Sequence, residues 1–181
     1  MTIFMLFIVI SLISISAVYD FKYRRIPNSF TYPSILIGLT YHCCLAGFGG
    51  LRFSLFGTLT GIGLLFIPYL IGKMGAGDAK LLGAVGSFIG AKSVFITFLF
   101  TAIVGGIYAL LILFLYNKKF KGFFTNFYYS GVNLLVTRQY VSFNNEEDIR
   151  QRPKLCYGLA IAAGTGIFIF FEVNGIKVLP L

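Results

Sequence analysis

Apolar positions along the chain come in long runs, and the polar residues collect between the runs. Residues 2–19 form the first, and Asp20 closes it. Further runs cover about 30–47, 54–72, a short stretch ending near 90, 93–116 and 155–171. A membrane-spanning helix needs roughly 20 apolar residues. The pattern therefore predicts an all-α, polytopic membrane helix bundle of about six transmembrane helices. Pro27-Asn28 reads as a turn that caps the second helix. Pro33 falls in that helix's first turn, where proline is tolerated, and Pro68 is expected to kink the third. Residues 48–53 and Lys92 mark the next turns. Gly83, Gly86 and Gly90 have the spacing that lets helix backbones approach closely.

The remaining stretch, 117–154, is the one long loop. Phe120, Phe123, Phe124, Phe127, Leu134 and Leu135 recur there at helical spacing behind Lys118, Lys119 and Lys121. That pattern predicts an amphipathic helix lying on the membrane surface. The charges also set a topology. With 21–29 and 117–154 in the cytoplasm, only Arg52, Lys92 and Lys177 of the 15 Lys and Arg lie on the outer side. Both termini are then outside. The first run lacks the preceding positive charge of a signal peptide, because Lys22, Arg24 and Arg25 follow it, so it reads as a retained helix. Residues 1–181 are expected to form a single integral membrane domain in the cytoplasmic (inner) membrane.

Composition narrows the function classes. The chain is 57% apolar and 12% charged, against about 25% charged for a soluble domain. Its mean hydropathy is +0.86. A soluble globule is excluded, and 21 Phe with 11 Tyr exclude disorder. The net charge of +9 fits basic loops beside an anionic lipid surface, with no nucleic-acid module and the bilayer as partner. Cys43, Cys44 and Cys156 form no Cys-x-x-Cys pair, so neither a zinc site nor a disulfide framework is expected. His42 is the only histidine and reads as a polar helix residue. Catalytic schemes that turn on histidine lose their central group.

Six carboxylates remain. Glu146, Glu147 and Asp148 lie in the long loop, where they face either a basic partner or the adjacent Arg150, Arg152 and Lys154. Glu172 sits at an outer helix end. Asp20 and Asp78 stand at the cytoplasmic ends of predicted spans, at similar depth, where ionisable groups mark functional sites. Singly, each has a plainer reading: Asp20 a solvated helix-end residue, Asp78 a helix N-cap after a glycine turn. As a pair they could share a proton, one acting as base toward water and the other as acid toward a peptide carbonyl. Gly75 and Gly77 either make the turn or leave the backbone beside Asp78 open to a substrate peptide.

Gly75-Ala76-Gly77-Asp78-Ala79-Lys80-Leu81-Leu82 resembles the GxGD-x-K-L signature of type IV prepilin peptidases. Asp20 followed by Arg24-Arg25-Ile26-Pro27-Asn28 resembles that family's first-aspartate motif. The resemblance covers about residues 15–90. It implies an intramembrane aspartic endopeptidase that removes the basic leader from prepilins or pseudopilins at the cytoplasmic face. Asp20 and Asp78 would be the catalytic pair. Gly75, Gly77, Lys80, Ile26, Pro27 and Asn28 would support the site or the substrate, with Lys80 open to a plain role as an interfacial lysine. The nucleophile would be water, so no metal and no cofactor is expected. Larger relatives carry a Cys-x-x-Cys-bearing N-methyltransferase domain between the first two spans. Here that loop has only about nine residues, which resembles the short, peptidase-only form associated with tight-adherence pili and some competence or archaeal-type systems. The sequence sets neither the pilin nor an oligomeric state.

Two other readings compete. Tyr19-Asp20 with Gly75–Asp78 also fits presenilin-like proteases, which are longer and carry their aspartates on consecutive helices. A small ion-coupled transporter would use the aspartates to bind a cation or proton. No repeated halves are visible to support it.

Overall fold

The computed structural model describes residues 3–71, 74–115 and 157–175. The expected surface helix in 117–154, the acidic run Glu146–Asp148 and Lys73 lie outside the described residues. Every regular element described is an α-helix: α1 (Ile3–Tyr23), α2 (Asn28–Leu70), α3 (Ala76–Leu115) and α4 (Tyr157–Val173). The first three are long and apolar enough to cross a membrane, and α4 is a shorter apolar helix. Met1–Gly106 with Cys156–Leu181 form one compact unit, and Ile107–Leu155 a second. The first unit holds both Asp20 and Asp78.

Four helices stand where the sequence pattern predicted six separate spans. The expected second and third spans are joined in α2, and the fourth and fifth in α3. A straight helix of 43 residues would run about 65 Å, twice the hydrocarbon core of a bilayer. α2 avoids this by reversing at Ala46 (φ −132°, ψ 19°) and Gly47 (φ 55°, ψ −136°). The His42 and Phe53 rings, eleven positions apart in sequence, then meet at 4.9 Å between centroids. α3 reverses at Gly90 (φ 81°, ψ 171°), which brings Val94 back to Gly86. Both reversals need one or two residues, so no separate turn forms at 48–53 or at Lys92. Both use a glycine in backbone space closed to other residues.

One sequence expectation changes here. α2 holds Pro68 within helical dihedrals, two residues before its end at Leu70. Gly90 serves the reversal, whereas Gly83 and Gly86 do lie at the helix–helix approach. A Cβ on Gly61 would stand 2.8 Å from the Gly83 backbone, and Gly57 meets the Gly86 carbonyl directly. Around this seam lie Leu65, Leu81, Leu82, Val85 and Phe88, all fully or almost fully buried.

α1 runs antiparallel to the first half of α2. Its Phe4 stacks on Tyr41 at one end and its Tyr19 meets Phe30 at the other. α1 also packs along α4. Met5, Val9, Leu12, Ile13, Ser16 and Asp20 form its buried stripe. Phe7, Val18, Leu36, Phe56, Ile67 and Ile103 point outward, the arrangement expected when lipid is the solvent.

The polar groups freed at the Gly90 reversal are satisfied by side chains. Ser54 Oγ donates to the Ser87 carbonyl at 2.7 Å. The His42 Nε2 bonds the Phe88 carbonyl at 3.1 Å, which makes Nε2 the protonated nitrogen. His42 therefore acts as a helix-end cap, at the opposite end of α1 from Asp20, about 25 Å away along the helix.

Candidate active site

α1 ends just beyond Asp20. Arg24 takes a left-handed conformation (φ 52°), and its N–H donates to the Asp20 carbonyl at 2.8 Å. This is an αL helix stop made by a residue other than glycine. The Asp20 side chain continues the buried stripe of α1, so its carboxylate turns inward and is only 6% exposed. There it accepts the Gly158 N–H on Oδ2 at 2.8 Å. The Leu159 N–H faces it as well. These are the first N–H groups of α4, which have no acceptor within their own helix.

Asp78 stands in the first turn of α3. Gly75 precedes the helix, and its N–H donates to Asp78 Oδ2 at 3.1 Å. The Asp78 N–H returns a bond to the Gly75 carbonyl at 3.1 Å. Asp78 is thus the third helical residue reaching back to the cap, as in a capping box, rather than the N-cap itself. It is 8% exposed.

The segment between α1 and α2 lies against the start of α3. A Cβ on Gly77 would stand 3.0 Å from the Ile26 Cβ and 3.2 Å from its carbonyl oxygen, a tight approach that a larger residue at 77 would force apart by a few tenths of an ångström. Pro27 is the N-cap of α2, with no side-chain cap bond. Asn28 is the first helical residue, and its side chain turns elsewhere: Lys80 Nζ donates to Asn28 Oδ1 at 2.9 Å. The same ammonium lies 4.9 Å from the Tyr32 ring centroid, within cation–π range.

The structure thus brings all the residues expected of the site to one end of the unit. Asp20 lies within electrostatic reach of Asp78, and Asp78 within reach of Tyr157. Two buried carboxylates on different helices, each held by backbone N–H donors, can divide the roles of base and acid in a hydrolysis. Among the described residues no three His, Cys, Asp or Glu side chains gather as a metal-holding group.

Sequence reasoning missed Tyr157, Gly158 and Tyr32. Tyr32 was detectable: it sits four residues after Asn28 on the same helix face. Tyr157 and Gly158 carried a weaker signal, a tyrosine and a small residue at the start of the last apolar run. Nothing in hydropathy pairs the first helix with the last.

A profile of the type IV leader peptidase family matches residues 6–110. The match takes in both aspartates and the segment between α1 and α2, and stops before α4. No curated protein and no solved structure matches the chain. With more than half of its length covered by that profile, and with helices long and apolar enough to cross a bilayer, the chain belongs to the type IV leader peptidase family and is a membrane protease of that family.

Proposed function

We propose that the chain is an intramembrane aspartic endopeptidase that removes the basic leader from type IV prepilins or pseudopilins at the cytoplasmic face. The observation that carries this reading is the meeting of two distant sequence motifs. Ile26 against Gly77 and Asn28 against Lys80 hold together the segments that bear Asp20 and Asp78. Ile26 belongs to the buried core, whereas the Lys80–Asn28 bond is polar and adds a link that apolar packing does not supply.

In the proposed reaction one carboxylate takes a proton from water as the water attacks the scissile carbonyl. The other protonates the carbonyl oxygen and the proton then reaches the departing amine. The products are the leader's new carboxylate and the mature pilin's amino terminus. Water is the nucleophile, and the reading assigns no metal or organic cofactor. Gly75, Gly77 and Lys80 would shape the approach of the substrate chain.

The short connection between α1 and α2, residues 24–27, supports a peptidase without the N-methyltransferase domain. The two reversals, at Ala46-Gly47 and Gly90, support six crossings, and the Lys and Arg distribution then favours both termini outside. Between Asp20 on α1 and Asp78 on α3 lies the whole of α2, which favours this reading over a presenilin-like one, where the aspartates occupy consecutive helices.

Co-expression with a panel of prepilins from the same genome tests the proposal. Mass spectrometry should find the leader removed by the parent, but not by Asp20→Asn or Asp78→Asn. Intact prepilins with the parent would favour a different substrate or an ion-coupled transporter.

A further inference from the structure

The start of α4 meets Asp20 in a way that packing alone does not require. The Gly158 N–H donates to Asp20 Oδ2 at 2.8 Å. A Cβ built on Gly158 would stand 2.8 Å from Asp20 Oδ2, 3.0 Å from its Cγ and 3.1 Å from its Cβ. All three of these nearest atoms belong to the one aspartate. Any side chain at 158 must displace the carboxylate or the helix end. Gly166, eight residues along the same helix, has nothing within 4 Å of an added Cβ. Tyr157, next to Gly158, is within electrostatic reach of Asp78. The helix end that bonds Asp20 thus also lies within electrostatic reach of Asp78, and it falls beyond the segment matched by the family profile.

We propose that Gly158 is a positioning residue for the hydrolysis: its N–H grips one oxygen of Asp20, and its missing side chain leaves the space that the carboxylate occupies. The Leu159 N–H faces the same carboxylate, so the two donors at this helix end set its orientation toward the reacting water or peptide. A backbone donor at a helix end is fixed by the helix itself, so it orients the carboxylate without rotamer freedom of its own. This inference rests on the reading of Asp20 as a catalytic carboxylate.

The test uses the full chain in detergent or proteoliposomes. Gly158→Ala should lower kcat by roughly 10- to 100-fold against a cleaved prepilin, with KM nearly unchanged, as expected for a displaced catalytic group. Gly166→Ala should leave both constants as they are. A Gly158→Ala variant with parental kcat overturns the proposal. A second readout needs neither cleavage nor a folded Gly158 variant. In ¹⁵N-glycine-labelled protein, the Gly158 amide proton should move upfield in Asp20→Ala, because a bond to a carboxylate is lost. The other glycine amides of α4 should barely shift. A Gly158 signal indifferent to Asp20→Ala overturns the proposal whether or not the protein cleaves any prepilin. Absence of cleavage by the parent counts against the peptidase reading alone.

Discussion

Lys80 donates its ammonium proton to the side-chain oxygen of Asn28 at 2.9 Å, across 52 positions of sequence. The same nitrogen lies over the Tyr32 ring. One cation two residues after Asp78 thereby fastens the first turn of α2 to the start of α3. The segment between Asp20 and α2 cannot drift from Asp78 while this bond holds. A hydrogen bond from a charged donor stabilises by about 1.5–3 kcal/mol when shielded, and less where solvent reaches it, as here.

Lys80→Ala and Asn28→Ala should each destabilise the protein, by about 0.5–1.5 kcal/mol. The double variant should cost less than the sum of the two, because both remove the same bond. Thermal unfolding in detergent measures the cycle. Additive losses would show that the pair does not act as a unit.

Gly57 and Gly63 lie on one helix and make opposite predictions. Gly57 faces the Gly86 backbone, so Gly57→Ala should destabilise by about 1–3 kcal/mol through overpacking. Gly63 has open space at its Cβ position, so Gly63→Ala should stabilise by about 0.5–1 kcal/mol through helix propensity. Melting temperatures of the two variants should move in opposite directions.

Arg24 holds a left-handed conformation that costs an L-residue about 1–2 kcal/mol. Arg24→Gly should relieve that strain while keeping the N–H bond to the Asp20 carbonyl, raising the melting temperature. Arg24→Val, β-branched, should lower it. The reverse order would place the benefit in the arginine side chain.

Ser16 sits one helical turn before Asp20, fully buried, and its Oγ has no hydrogen-bond partner among the described residues. Ser16→Ala removes an unpaired hydroxyl and should stabilise by about 1 kcal/mol. Loss of stability instead would indicate that the hydroxyl has a partner in the membrane, such as bound water.

The sequence exposes the parts of the site that depend on local chemistry. Asp20 and Asp78 stand out because a carboxylate at the end of an apolar run is costly. The spacing of Gly75, Gly77 and Lys80 follows from a turn that opens a helix. His42 was expected to be a polar helix residue, and its bond to the Phe88 carbonyl shows where its polarity is used. Relationships between distant elements are less legible. Gly90 looks like a packing glycine, because φ cannot be read from spacing. The reversal at Ala46-Gly47 carries no proline, whereas Pro68, the expected kink, lies two residues before α2 ends. The contact of Gly158 with Asp20 depends on the adjacency of first and last helices, which apolar runs do not encode.

If Asp20 and Asp78 perform the hydrolysis together, neither can be lost without losing the reaction. The direct measurement is the cleavage rate of a basic-leader prepilin by the purified parent, Asp20→Asn and Asp78→Asn, each reconstituted in proteoliposomes and matched for helix content. Each substitution should lower kcat by about 10²–10⁴-fold, the worth of a positioned acid or base, without unfolding the protein. A folded variant of either aspartate that cleaves at the parental rate would contradict the shared role of the pair.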